Sequence, residues 1–342
     1  MNRPPVWCLL TEAGLLDVCS RADYERLREE FALTLNPGPD PVPYEHLVAE
    51  IAPYAGLITG WGASPRLEAD FYEAVVNLRL IAHFAGSVRG LVAPGMIERY
   101  LRPRGLVMFS ARAAIAENVA ESTVGLLIAT SRRWFEQMEY FRQTGGWGAP
   151  HLAGVHQHLL GATLGVLGAS QVGRRVLRLL HGWDLTKLLY DPYVSPEEAA
   201  TLGAEQVDLE ELLRRSDHVA VCLPVTDETR GLLTAERLRL LPDGAMLVNC
   251  ARAAVMDLEA VIAEAASGRL IVGLDVTDPQ EPPPADSPLR DLPNVYVTPH
   301  LAGLGRYGFH LIGYSGLQAL RDALAGRPVQ GAVDWDHFEL LG

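Results

Sequence analysis

Arg252, His300 and an acidic loop after Asp275 are the side chains in this sequence best suited to acid–base work on a small organic acid. An arginine holds a carboxylate with two parallel hydrogen bonds while polarising a neighbouring carbonyl. A histidine titrating near neutrality gives or takes the proton of an alcohol. A carboxylate beside that histidine favours the imidazolium and keeps a proton ready for donation. With a hydride donor, the sum of these groups is reversible reduction of a 2-oxo acid. The donor is indicated upstream by Gly165-Val-Leu-Gly168-Ala-Ser170-Gln171-Val172-Gly173, where small residues let the backbone turn tightly under a pyrophosphate at a helix N-terminus. Asp191 follows the next apolar run, in position to accept both ribose hydroxyls of an adenosine. The same carboxylate repels a 2′-phosphate, so NAD(H) is expected over NADP(H). The fingerprint is imperfect, because Ser170 stands where its second glycine belongs.

Elements of two kinds must position these groups. Apolar runs at Val6–Leu10, Phe31–Leu35, Gly56–Thr59, Leu78–Phe84 and Leu106–Phe109 read as strands, with helical patterns between them. A second series runs through Thr163–Leu167, Lys187–Tyr190, His218–Leu223, Ala245–Asn249, Ile271–Val276 and Val295–Thr298. Arg252, His300 and the acidic loop all fall just beyond strands of this second series, where open α/β sheets bind their ligands. The glycine turn opens a helix over Gln171–His181. Ser195-Pro196-Glu197-Glu198 and Asp208 with Glu211 carry helix-start signals and no chemistry. Glu117–Phe141 reads as one long helix, and Phe309–Ala325 as another. The expected fold is α/β with two doubly wound parallel-sheet domains. A Rossmann cofactor domain over 116–305 is inserted into a flavodoxin-like substrate domain formed by 1–115 and 306–342.

The chain has 342 residues, 49% of them hydrophobic, enough apolar material for two cores. No stretch has the length of a membrane span, and the Val6–Leu10 run is too short for a signal-peptide core, which gives an expectation of a cytoplasmic protein. A formal charge of −13 argues against a nucleic-acid partner and repels anionic substrates at long range, so local cations must meet any acid. Cys8, Cys19, Cys222 and Cys250 lie far apart without metal-type spacing and read as reduced core thiols; Cys250 packs in preference to acting as a nucleophile. His151, His156 and His158 resemble a metal cluster by count alone, with no carboxylate or cysteine partner, and no metal is expected.

The order of further motifs is more specific than any one of them. Ala85-Gly86-Ser87-Val88-Arg89 and Val119-Ala120-Glu121 precede the glycine turn, and Tyr190-Asp191-Pro192 and Leu223-Pro224-Val225-Thr226 follow it. Val248-Asn249-Cys250-Ala251-Arg252-Ala253, Leu274-Asp275-Val276 and Thr298-Pro299-His300-Leu301-Ala302-Gly303 complete the series. In this order the chain resembles the D-isomer-specific 2-hydroxyacid dehydrogenase family over nearly all its length. The resemblance implies that Arg252 binds the oxo acid, that His300 is the acid/base, and that Asp275 helps to hold the nicotinamide. It implies substrate contacts at Gly86, Ser87, Val88 and Arg89, with backbone amides of Gly86 to Val88 receiving the carboxylate and hydride passing across an interdomain cleft. Cofactor contacts are implied at Thr123, Gly168, Ser170, Gln171, Val172, Gly173, Asp191, Leu223, Pro224 and Thr229. They continue at Cys250, Ala251, Arg252, Asp275, His300 and Gly303. A homodimer acting on a small 2-oxo or 2-hydroxy acid is expected, with the loop Gly145–Pro150 a linker or dimer contact.

Departures from the family pattern bear on the chemistry. Leu304 stands where serine or threonine is common. The catalytic glutamate is expected five residues after Asp275, and that position is Gln280. The loop is one residue longer than usual, so Glu281-Pro282 is favoured as the shifted Glu-Pro pair and Glu281 as the partner of His300. The alternative Gln280–His300 pair is similar to the NAD-dependent formate dehydrogenases, which need no histidine acid. An alternative of another class is an NADH-sensing, corepressor-like binding protein. Arg89 or Arg112 facing the substrate would suit a second anionic group on it, such as a phosphate or phosphonate.

Overall fold

The computed structural model describes residues 3–153 and 158–340, and the chain divides into two compact units. The first joins Met1–Ile115 to Leu304–Gly342; the second is Ala116–Gly303. His156 lies outside the described residues.

The first unit is built on five parallel strands in the order β2-β1-β3-β4-β5. These are β1 (Pro5–Cys8), β2 (Ala32–Leu35), β3 (Gly56–Thr59), β4 (Leu80–His83) and β5 (Val107–Ser110). β3 and β4 are buried at every position, as strands covered on both faces must be. The Arg306–Leu324 helix returns against them, and Gly316 is required there because a Cβ would meet the Phe84 ring at 2.1 Å.

The second unit has seven parallel strands in the order β12-β11-β10-β9-β6-β7-β8. They are β6 (Thr163–Leu167), β7 (Thr186–Tyr190), β8 (Glu205–Gln206), β9 (His218–Val221), β10 (Met246–Asn249), β11 (Ile271–Leu274) and β12 (Val295–Val297). Both sheets have the strand alternation of doubly wound α/β folds, with the first in the flavodoxin-like order and the second inserted in sequence between the two pieces of the first. β8 has only two residues, too few for any hydrophobic period to announce it.

The single long helix expected over Glu117–Phe141 is two helices, Arg112–Ser131 and Trp134–Thr144. Arg133 sits between them with a left-handed φ of 52°. Its guanidinium bonds the Glu136 carboxylate, which also accepts from the Tyr296 hydroxyl of β12. Apolar spacing runs through the break unchanged, so the pattern conceals it. The Gln171 helix ends at Leu179, short of the expected His181, and the last long helix spans Arg306–Leu324, differing from the sequence expectation at both ends.

Candidate active site

The turn after β6 is shaped by close backbone packing. Gly168 has φ +98°, and a Cβ on Gly173 would lie 2.0 Å from the Gly168 carbonyl oxygen, so neither position admits a side chain. Leu223 packs against Gly168, where an added Cβ would come within 2.8 Å of its Cδ2. Ser170 is the N-cap of the Gln171–Leu179 helix, its hydroxyl oxygen accepting from the Gly173 amide at 3.3 Å. This accounts for the missing second glycine: the residue caps the helix. The first-turn amides of Gln171 and Val172 have no intrahelical acceptor and remain for an anion.

Asp191, at the end of β7, accepts from the Ala169 amide at 2.7 Å and from the Tyr193 amide at 2.9 Å. The carboxylate is thereby fixed beside the glycine turn with lone pairs left over. Arg174, the nearest cation in sequence, is committed elsewhere: it donates to the Ala169 carbonyl at 2.8 Å and to Glu198 at 2.7 Å. These residues fit an NAD(H) dinucleotide: a tight turn, first-turn amides, a carboxylate at the following strand end, and an Arg174 committed elsewhere.

A histidine–carboxylate pair lies at the far end of the sheet. His300 Nδ1 is 2.6 Å from Glu281 Oε2, and Glu281 Oε1 accepts from the Thr277 amide at 3.0 Å. Both side chains are solvent-exposed, with the second ring nitrogen of His300 left for a substrate. Gln280 does not take this place; its amide points to the Pro282 carbonyl at 3.5 Å. His300 holds φ 53°, a conformation non-glycine residues seldom adopt. It is kept there from both sides, as its amide donates to the Asp275 and Thr298 carbonyls at 3.0 and 2.9 Å.

Asp275 is the organiser of this loop. Its buried carboxylate accepts from the Thr298 hydroxyl at 2.6 Å, the Leu301 amide at 2.7 Å and the Ala302 amide at 2.8 Å. Asn118 and Ser122, on the Arg112–Ser131 helix, donate to the Gly303 and Ala302 carbonyls at 3.0 and 3.1 Å. No sequence signal singled out Asn118, because its partner is distant in the chain and is a backbone atom.

Arg252 follows β10 in a turn held by Asn249, a buried residue the sequence reading also passed over. The Asn249 side chain donates to the Arg252 carbonyl at 3.0 Å and accepts from the Ala251 amide at 2.9 Å. The Arg252 side chain is solvent-exposed, while the protein packed around it pushes its pKa down and the charge of Glu281 opposes that shift. Arg252, Glu281 and His300 are therefore brought into one electrostatic neighbourhood. Cys250 is buried, and burial pushes its thiol up to about 12, which is a packing environment and not that of a nucleophile.

Two expected cofactor contacts have other commitments. The Thr123 hydroxyl is buried and donates to the Val119 carbonyl at 2.7 Å, behind Cys250. The Thr229 hydroxyl donates to the Pro224 carbonyl at 2.6 Å and accepts from the Thr226 amide at 2.8 Å, tying the loop after β9. Gly86, Ser87, Val88 and Arg89 form the loop after β4 of the first unit, with Val88 buried. Of the three clustered histidines, His158 meets Arg132 at 3.0 Å and His151 lies 4.0 Å from Glu136. Among the described residues no three His, Cys, Asp or Glu side chains converge to hold a metal. No helix among them is long and apolar enough to cross a membrane.

A tight glycine turn, a carboxylate at the next strand end and a histidine–carboxylate pair at the strand ends of one parallel sheet define a dinucleotide-binding α/β domain. A family model described as the NAD-binding domain of D-isomer specific 2-hydroxyacid dehydrogenases matches residues 124–302. The chain belongs to the D-isomer-specific 2-hydroxyacid dehydrogenase family. It is 32% identical to the glyoxylate reductase of Thermococcus kodakarensis over 290 residues, 83% of this chain and 84% of that protein. It is 29% identical over 296 residues to the D-3-phosphoglycerate dehydrogenase of Archaeoglobus fulgidus, covering 86% of this chain and 54% of that one. The chain thus spans about half the length of the phosphoglycerate dehydrogenases it matches. The holo D-mandelate dehydrogenase of Rhodotorula graminis superposes with a TM-score of 0.80 at 25% identity, over 97% of this chain and 98% of that one.

Proposed function

We propose that this protein is a 2-oxo acid reductase in which Arg252 binds the oxo acid and His300 is the general acid. The observation that carries this reading is the 2.6 Å pair between Glu281 and His300 Nδ1. With Nδ1 engaged by a carboxylate, the ring presents its other nitrogen and delivers the proton from there to the carbonyl oxygen. Glu281 orients the ring. Arg252 takes the carboxylate or carbonyl of the substrate and polarises the C2 carbonyl. Asp191 receives the adenosine ribose of NAD(H), and the Gln171 and Val172 amides its pyrophosphate; when bound, the nicotinamide supplies the hydride. In the first unit, the backbone amides of Gly86 to Val88 receive the substrate carboxylate.

The first unit also informs the choice of substrate side chain. A cavity of about 360 Å³ lies beyond β1 and β3, lined by Leu9, Val42, Ala63, Ser64 and Pro65. In the order β2-β1-β3-β4-β5 this is the topological switch point, where open α/β sheets take ligands. No charged residue lines it. It supports an uncharged substituent in preference to the second anionic group that Arg89 or Arg112 would suit, and Arg112 has the charge of Asp334 within reach.

A homodimer is supported by Trp134, Phe135, Met138 and Phe141, an exposed apolar stripe on the Trp134–Thr144 helix, extended by Trp147 at 95% exposure. Sedimentation of the whole chain would give a dimer mass. Free, buried cysteines accord with a reducing, cytoplasmic location.

NADH oxidation with a panel of 2-oxo acids, including glyoxylate and a phosphorylated oxo acid, tests the activity. Turnover that falls about 10²-fold in His300→Ala, with NADH binding kept within a few-fold, is the expected result. NADH binding without turnover of any oxo acid would instead favour a sensor.

A further inference from the structure

The loop that carries Glu281 cannot be stitched together by its own backbone. Pro279, Pro282, Pro283 and Pro284 have no N–H to donate. Of the amides that remain over 278–284, those of Asp278, Gln280 and Glu281, none donates to a backbone carbonyl among the described residues. Burial does not fix the loop either. Residues 278–282 are exposed, and a cavity of about 340 Å³ is lined jointly by the loop and by Leu258 and Ile262 of the Leu258–Ala266 helix. Glu281 nevertheless meets His300 at 2.6 Å, which requires that its backbone be held in place.

Side chains on either side of the loop supply the missing bonds. Thr277, buried just past β11, donates from its hydroxyl to the Gln280 carbonyl at 2.7 Å and from its amide to Glu281 Oε1 at 3.0 Å. The Gln280 carbonyl lies in the same planar peptide as the Glu281 nitrogen, so holding it sets the direction in which Glu281 leaves the backbone. Beyond Glu281, the Arg290 guanidinium donates to the Pro283 carbonyl at 2.8 Å and to the Pro284 carbonyl at 2.9 Å. Such bonds from an ionised donor are stronger than those between neutral groups. Leu289, buried next to Arg290, seats the short turn Pro288–Arg290 in the protein. Glu281 therefore lies between two tethered points, one before it and one after.

We propose that Thr277 and Arg290 are positioning residues for the Glu281–His300 pair, their side chains taking the place of the backbone hydrogen bonds that four prolines remove. The inference rests on the reading that His300, oriented by Glu281, delivers the proton. Thr277→Val keeps the branched shape and loses the hydroxyl; Thr277→Ser keeps the hydroxyl. Arg290→Met keeps an unbranched stem and loses both donors.

The test measures kcat and KM for glyoxylate and Kd for NADH in the whole chain. Thr277→Val lowers kcat about fivefold with KM and Kd within about twofold, because a loosened Glu281 disorders the proton donor and leaves the binding groups alone. Thr277→Ser keeps kcat within about twofold of the natural chain. Arg290→Met, at an exposed position, lowers kcat in the same way and serves if Thr277→Val does not fold. Added to Glu281→Ala, either substitution changes kcat by less than about twofold, since residues that act through one group are not additive. Equal losses in Thr277→Val and Thr277→Ser, unchanged kcat in Thr277→Val or in Arg290→Met, or a loss that persists undiminished in Glu281→Ala overturns the inference alone. An unaltered chain that does not reduce glyoxylate, or an unchanged kcat in Glu281→Ala, removes the underlying reading and the inference with it.

Discussion

Glu281 grips His300 through one carboxylate oxygen while the other is held by the Thr277 amide, so the carboxylate that orients the ring is itself fixed to the loop backbone. Gln280, the residue at the usual spacing, bonds within its own turn. The acid beside the histidine thus lies one position beyond the spacing that the family resemblance implies.

Removing that acid has a measurable consequence. Glu281→Ala removes the group that orients the His300 ring, so kcat for oxo acid reduction falls about tenfold or more while NADH binding stays within about threefold. Gln280→Ala leaves kcat within about threefold. Turnover of the two variants and the natural chain with one oxo acid decides between them; an unchanged kcat in Glu281→Ala returns the partnership to Gln280.

Cofactor choice follows from Asp191 and Arg174 together. The carboxylate is fixed beside the glycine turn, and the neighbouring Arg174 is occupied by Glu198 and the Ala169 carbonyl. NADH is preferred over NADPH by about tenfold or more in kcat/KM. Asp191→Ala narrows the gap, and Asp191→Ala with Glu198→Ala, which also frees the arginine, narrows it further. Equal efficiency in the natural chain would show that Asp191 does not govern the ribose.

The parallel strands and glycine turn were legible because their signals are local: apolar runs of strand length, a turn that only glycine fits, and a carboxylate at the following strand end. Arg252 and His300 were legible for the same reason, each lying just past a buried strand. What holds them was not. Asn249 and Asn118 act on backbone atoms, and Asp275 looks in sequence like one more strand-end acid. The break at Arg133 was hidden for a related reason, since a left-handed residue leaves the apolar spacing on either side intact. Such interactions are fixed by tertiary placement, which no periodicity encodes.

Asp275 illustrates how placement changes an expectation. The family resemblance gives it a nicotinamide contact, whereas here three donors from residues 298–302 converge on its carboxylate. In Asp275→Asn one of those donors meets an NH2 group and is left buried without an acceptor, at a cost of about 1–3 kcal/mol. The His300 loop then loosens: kcat falls about 10²-fold, and NADH Kd changes by less than about threefold. A large loss of NADH affinity with kcat preserved would make the nicotinamide contact the dominant role.

Acid sensitivity provides a last test, independent of turnover. His83 is buried, and burial lowers its pKa from 6.5 to about 4 in the folded chain. Between these values the unfolded chain binds the proton more readily than the folded one, so stability rises with pH through this window. The contribution is complete above pH 6.5, where both states are neutral, and falls by roughly 3 kcal/mol as pH drops toward 4. His218, also buried with a lowered pKa and an Nδ1 atom that has no hydrogen-bond partner among the described residues, adds in the same direction. Urea unfolding midpoints of the natural chain therefore decline between pH 7 and pH 5, and His83→Gln, which cannot titrate, declines less. Parallel decline in the two proteins would mean that His83 is already protonated, or is not buried, in the native state.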